Sequence, residues 1–172
     1  MNPTDQLIER ARNIRLLVLD VDGVLTDGRL YFNAEGETLK AFHVRDGAGI
    51  VQLRKSGIEV AIISGRHSAA VTTRMKELGV SQVKQGIQDK RAALQKLLES
   101  LDLSPDCLAC VGDDTPDLPM LKMAHLAVAV ADAHPSIQAA AHYVTQIRGG
   151  LGAVREVCDL ILQAQCTEIG GG

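Results

Sequence analysis

The stretch LVLDVDGVLTDG, Leu17 to Gly28, decides the fold. It opens as a short apolar run and ends in two acids, Asp20 and Asp22, with Val21 between them and Gly23 behind. An apolar run of this length bounded by a turn signal reads as a buried strand. In an extended chain residues two apart face the same side, so both carboxylates converge on one point if the strand ends near Val21 and turns at Gly23. No Lys or Arg stands between or directly after them, so their charges repel unless something cationic joins them. A hard divalent ion, which takes oxygen ligands, supplies that charge.

Working outward, RLLVLDV, EVAIIS, CLACVG and LAVAVA are nearly continuous apolar segments of strand length, as expected where both faces of a sheet are covered. Between them lie helical patterns: GAGIVQLRKSG, SAAVTTRMKELG, QDKRAALQKLLESL, PDLPMLKMA and GAVREVCDLILQAQ. Two of these close on Gly57 and Gly79, where a helix end favours a left-handed residue. Strands alternating with helices predict an open, mostly parallel α/β sheet with helices on both faces. One segment breaks the alternation. Residues 29–43 read as a β-hairpin around Asn33-Ala34-Glu35-Gly36, projecting from the carboxyl edge where open α/β sheets bind ligands.

Two further strand ends complete a site. VGDDTPD closes one strand with Asp113, Asp114 and Asp117, so two acidic strand ends can meet over one ion. IISGR leaves another with Ser64, Gly65 and Arg66, a hydroxyl and a backbone whose N–H groups can cradle a phosphate. Lys90 opens a helix, where its ammonium can reach the same phosphate. Acids for Mg²⁺ with a hydroxyl and a lysine for phosphate point to phosphoryl transfer. Asp27 reads as a turn-capping residue, and His67, His125, His134 and His142 show no ligand spacing.

Composition narrows the partners. The 172 residues read as one domain, with a core over about 14–163 and a Gly-rich tail over 164–172 expected to be mobile. Net charge is −3 and only four residues are aromatic, which disfavours nucleic-acid binding. The first fifteen residues lack the apolar core of a secretory signal, and no run is long enough for a membrane span, so a cytoplasmic location is expected. Cys107, Cys110, Cys158 and Cys166 close no metal pattern. The C-x-x-C at 107–110 falls on an apparent strand, where positions three apart face opposite ways, so these read as plain buried thiols.

The motifs DVDGVLTDG, IISGR, Asp89-Lys90 and GDDTPD resemble, in order, the four motifs of the haloacid dehalogenase superfamily phosphatases. The resemblance implies a Rossmann-like fold, with Asp20 as a nucleophile forming an aspartyl-phosphate and Asp22 as general acid and then base. It implies that Asp20, the backbone carbonyl of Asp22, and Asp113 hold Mg²⁺, that Ser64, Gly65 and Lys90 hold the phosphoryl group, and that Asp114 and Asp117 support the metal. Further segments, AFHVRDGAGI, VAVADAHP, YVT and GAVREVCDLIL, are similar to a capless subclass that dephosphorylates 3-deoxy-D-manno-octulosonate 8-phosphate (KDO 8-phosphate) in lipopolysaccharide synthesis. That likeness implies sugar-acid contacts from Arg45, Asp46, Gly47, Arg66 and Arg74, and a homotetramer in which one chain's hairpin closes the next chain's site. His43 stands where this subclass usually has Asn, and Arg148 precedes the glycines of RGGLG.

The gaps between motifs hold no cap domain. Two alternatives stay open at this point. A receiver-type phospho-switch also uses an acidic Mg²⁺ pocket, a Ser/Thr and a Lys, but it carries adjacent acids first and its acceptor on a middle strand. Within enzymes, a nine-carbon sugar acid such as N-acylneuraminate 9-phosphate presents the same carboxylate and terminal phosphate.

Overall fold

The computed structural model describes residues 3–166. Six parallel strands form one sheet in the order β5-β4-β1-β6-β7-β8: β1 (Leu16–Leu19), β4 (Glu59–Ile63), β5 (Gln82–Lys84), β6 (Leu108–Gly112), β7 (Leu126–Ala129) and β8 (Tyr143–Val144). A separate antiparallel hairpin, β2 (Tyr31–Asn33) and β3 (Gly36–Leu39), rises between β1 and the rest. The four predicted apolar runs become β1, β4, β6 and β7, and β1, β6 and β7 are buried at every position. Side chains on both faces of these strands meet helices, so an alternating pattern would have placed polar groups in the core.

The helices are α1 (Pro3–Arg12), α2 (Val44–Lys55), α3 (Ala69–Glu77), α4 (Lys90–Leu101), α5 (Leu118–Leu121), α6 (Pro135–Ala140) and α7 (Ala153–Cys166). On one face α7 packs between α1 and α2, while α4 and α5 cover the other. Local caps set several boundaries. His43 Nδ1 accepts the Arg45 N–H at the start of α2, and the Asp89 carboxylate accepts the Ala92 N–H, which starts α4 at Lys90. Between β1 and β4 the chain holds only the hairpin and α2, leaving no cap domain.

The structure adds elements and shifts others. Helix α1, the short edge strands β5 and β8, and α6 were not read from sequence. Cys107 lies in a 3₁₀ turn, Pro105–Cys107, that precedes β6, so only Cys110 of the C-x-x-C pair is on the strand; both are free thiols, but Cys110 alone is buried as expected, Cys107 being half-buried because the turn lies outside the sheet. Helix α7 continues through the buried Ala164 to Cys166, because its apolar face still packs on the core, so the tail expected from residue 164 is helical for three residues. Residues 167–172 lie outside the described residues. No helix among the described residues is long and apolar enough to cross a membrane.

Candidate active site

Because β4, β1 and β6 are adjacent and parallel, their carboxyl ends open on one edge, and the three acidic or phosphate-type motifs meet there. Strand β1 ends at Leu19, two residues earlier than Val21, and the Asp20 N–H still reaches the Val111 carbonyl at 3.2 Å. A cleft of about 300 Å³ on this edge is lined by Asp20, Asp22, Ser64, Gly65, Arg66, Lys90, Asp113, Asp114 and Asp117, among others.

The loop after β1 is held by its own residues. The buried Thr26 Oγ1 accepts the N–H groups of Gly23 and Gly28 and donates to the Val21 carbonyl. Gly23 adopts φ +85°, and a Cβ there would stand 2.0 Å from Asp113 Oδ2. Only glycine lets the loop turn and the Asp113 carboxylate approach together. From the far side of the chain the Gly149–Gly150 backbone lies on this loop: Gly150 N–H bonds the Val24 carbonyl at 2.9 Å, and a Cβ on Gly149 would stand 1.7 Å from the Gly23 carbonyl oxygen. Neither Thr26 nor the Gly149–Gly150 strap carried a sequence signal for this site beyond its residue type.

One oxygen from each of Asp20, Asp113 and Asp117 falls within 4.8 Å of the others. Lys90 Nζ, almost fully buried, donates to Asp20 Oδ1 at 2.8 Å and Asp117 Oδ1 at 2.5 Å. Asp117 also accepts the Asp113 N–H at 3.0 Å with its other oxygen, so it fixes both the lysine and the strand end. Asp113 forms no salt bridge among the described residues. Burial, then the charges of Asp20, Asp117 and Asp114, push its carboxyl up to about 8. Burial and Asp117 likewise raise Asp20 to about 6, against the pull of Lys90. Burial alone would depress Lys90, but Asp20 and Asp117 hold it above its ordinary value. Three acids facing a single lysine leave negative charge uncompensated. That donor set, all hard oxygen, fits a divalent ion such as Mg²⁺.

Sequence proximity missed the cations around Asp22. Lys40, from the end of the hairpin, binds Asp22 Oδ1 and also Glu37 at 3.2 Å, with its side chain 1% exposed. Arg66 Nε lies 3.9 Å from Asp22 Oδ2, its guanidinium reaches Glu37 at 3.2 Å, and it sits 5.8 Å over the Phe32 ring. Burial opposes it, but hydrogen bonds from Lys40, Ser68 and Arg66 hold Glu37 below its ordinary value. Asp20 and Asp22 thus share a cleft but hold different cations.

Four of the five residues expected to touch a sugar acid lie away from this lining. Asp46, 1% exposed, is the surrogate cap of α7, accepting the Arg155 N–H at 2.8 Å; burial raises its carboxyl above the ordinary range. Gly47 is small because Arg74 lies against it: a Cβ there would stand 2.4 Å from the guanidinium, which pairs with Glu77. Arg45 lines a different cavity of about 540 Å³ with Tyr143 and Arg155. Only Arg66 faces the cleft. Asp114 caps the 3₁₀ turn Thr115–Asp117, and Asp27 caps its own turn through the Arg29 N–H. His43, His134 and His142 each accept a backbone N–H.

An acidic, lysine-braced cleft at three parallel strand ends is the arrangement of the haloacid dehalogenase-type hydrolases, and residues 82–154 match the family model described as haloacid dehalogenase-like hydrolase. The 3-deoxy-D-manno-octulosonate 8-phosphate phosphatase of Yersinia pestis is 53% identical over 94% of this chain and 86% of its own length, and that of Escherichia coli 54% over 92% and 85%. The chain belongs to the 3-deoxy-D-manno-octulosonate 8-phosphate phosphatase family of these hydrolases. Its fold is similar to the Yersinia pestis crystal structure, with TM-score 0.93, 52% identity and coverage of 96% of this chain and 90% of that one. It is also similar to the Moraxella catarrhalis phosphatase in complex with a magnesium ion, a phosphate ion and KDO, with TM-score 0.92, 45% identity and coverage of 95% and 94%.

Proposed function

We propose that the chain hydrolyses KDO 8-phosphate to KDO and inorganic phosphate through an aspartyl-phosphate on Asp20. The observation that carries this reading is the meeting of Asp20, Asp113 and Asp117 within 4.8 Å around the buried Lys90, at the mouth of a cleft that Ser64 and Arg66 also line. Asp20, the Asp22 backbone carbonyl and Asp113 would hold Mg²⁺, which would supply a Lewis acid for the phosphoryl oxygens.

The chain's own groups do the rest. An Asp20 oxygen attacks phosphorus, the bond to the sugar oxygen breaks, and Asp22 gives that oxygen its proton. Ser64, the Gly65 backbone and Lys90 hold the equatorial oxygens as charge spreads over them. Asp22, now a carboxylate, takes a proton from a water that attacks phosphorus, and the Asp20 carboxylate leaves. Asp117 and Asp114 hold the second acidic strand end in place. Arg66 is the contact for the substrate carboxylate, which a guanidinium suits. A receiver-type switch is disfavoured by the same geometry, since Asp22 beside the phospho-acceptor would hydrolyse it.

The hairpin exposes Leu30, Tyr31, Phe32 and Leu39, with Phe32 60% exposed, which supports assembly into a tetramer that covers it. Free thiols at Cys107, Cys110, Cys158 and Cys166 suit a cytoplasmic setting. The test is Mg²⁺-dependent phosphate release from KDO 8-phosphate, N-acylneuraminate 9-phosphate and a generic sugar phosphate. Far faster turnover of the first is the expected result; equal, slow turnover of all three removes the substrate assignment.

A further inference from the structure

Resting on that reading, we infer that Lys40 is a positioning residue for Asp22, fixing through its contact with Oδ1 which oxygen of that carboxyl meets the leaving group. Asp22 lies on the loop beyond β1, where Thr26 organises the backbone but leaves the carboxyl group unheld. Lys40 holds it instead. The lysine comes from the foot of the hairpin, is 1% exposed, and is shared between Asp22 Oδ1 and Glu37 Oε2. Its ammonium is therefore closed to a substrate anion, unlike the guanidinium of Arg66, whose side chain is 44% exposed and lines the cleft.

Burying an ammonium costs several kcal/mol unless its partners are well placed. A plain structural ion pair would gain little from having one acid on a catalytic loop and the other on the hairpin. The arrangement does have a chemical consequence. An ammonium can only donate, so Oδ1 of Asp22 is always an acceptor toward Lys40. The position left for a transferable proton is Oδ2, which Arg66 Nε approaches only to 3.9 Å, beyond hydrogen-bond reach, and both Asp22 and Arg66 line the cleft. In the first step the bond from phosphorus to the sugar oxygen breaks with its electron pair on oxygen, the Oδ2 proton moves to that oxygen, and the Asp20–phosphorus bond forms. Without Lys40 the carboxyl is free to rotate and to present an unprotonated oxygen. Because Glu37 and Lys40 both belong to the hairpin segment, the same contact ties the placement of the hairpin to the orientation of the acid.

The prediction concerns leaving groups. An alkoxide needs the proton and p-nitrophenolate does not, so the two esters separate a misplaced acid from a damaged phosphate site. Lys40→Met should lower kcat/KM on KDO 8-phosphate, which reports the steps up to loss of the leaving group, by about 10- to 100-fold, a part of the effect general acids have. Its KM should stay within about threefold, as should kcat/KM on p-nitrophenyl phosphate; kcat on the aryl ester includes hydrolysis of the shared aspartyl-phosphate and can fall as well. Lys40 acts through Asp22, so the Lys40→Met/Asp22→Asn double variant should be no slower than Asp22→Asn alone. Thermal melts establish that each variant is folded. Lys40→Gln, which keeps an N–H at the chain end, serves if the Met variant does not fold, and its ratio of sugar to aryl ester turnover should fall less than that of an Asp22→Asn enzyme. Equal losses of kcat/KM on both esters, a change confined to KM, or additive losses in the double variant overturn the inference while leaving the phosphatase reading intact. A wild-type protein that releases phosphate from neither ester removes that reading itself.

Discussion

Replacing Lys90 by Met keeps most of the length of the side chain and removes one buried cation. Its Nζ stands 2.8 Å from Asp20 and 2.5 Å from Asp117, and each contact is worth about 6 kcal/mol of gross attraction at an effective dielectric of 20. Desolvation offsets most of that in the intact protein. Deleting the lysine leaves the cost without the compensation, because Asp20 and Asp117 are both nearly sealed from solvent and then face each other unpaired. Breaking a buried pair in this way costs about 3–5 kcal/mol, which for a chain of this size lowers Tm by about 10 °C. The penalty depends on pH. Asp20 already sits at about 6, and without Lys90 it moves higher, so acidification neutralises it and relieves the repulsion. Thermal melts of Lys90→Met after chelation should show the large loss at pH 7.5 and a smaller one at pH 5, with added Mg²⁺ recovering part of it. A Tm within 2 °C of wild type at pH 7.5, a spread of about 0.5 kcal/mol for a neutral surface change, would refute the reasoning.

Other expectations follow from the same geometry. Asp113 titrates near 8, raised above its ordinary value, so its protonated form favours the chelated fold at low pH and that contribution is lost as pH rises through 8. Mg²⁺ competes with that proton, and the Tm gain from Mg²⁺ should grow between pH 5 and pH 8; an equal gain at both would contradict the assignment. Gly149→Ala drives a methyl into the Gly23 carbonyl, one residue from Asp22, and should cost about 1–3 kcal/mol together with kcat, read by melts and steady-state kinetics. Asp46→Ala uncaps α7 and should cost about 1–2 kcal/mol with KM for KDO 8-phosphate unchanged. A rise in KM without a stability loss would return Asp46 to the substrate.

Much of this was legible because the fold repeats a simple signal. Strands β1, β6 and β7 are buried on both faces, so each appears as an unbroken apolar run, and the acids stand where those runs stop. Strand β5 is a three-residue edge strand, half-buried throughout, and β8 has two residues, too short for any period to show. Helix α1 is rich in charge and covers the sheet with only a few apolar residues such as Leu7 and Ile8. The site divides the same way. Asp20, Ser64, Lys90 and Asp113 sit at strand and helix ends, which sequence marks. Lys40 is one lysine in a polar hairpin, and only the path of the hairpin back over the cleft brings it to Asp22. Asp46 and Arg74, which the family likeness implies as sugar-acid contacts, bond the Arg155 N–H of α7 and Glu77 here, partners that no sequence spacing marks.

The central claim is a phosphoryl group carried on Asp20, and rapid quenching tests it most directly. p-Nitrophenyl phosphate, whose leaving group needs no proton from Asp22, and Mg²⁺ are mixed with the Asp22→Asn variant, in which hydrolysis of the intermediate is slowed, and the acid-quenched protein is digested for mass spectrometry. The account predicts one added phosphoryl group on the peptide that contains Asp20, absent without Mg²⁺ and absent when Asp20 is also Asn. Turnover of substrate with no such adduct, or with the adduct on another residue, would contradict it.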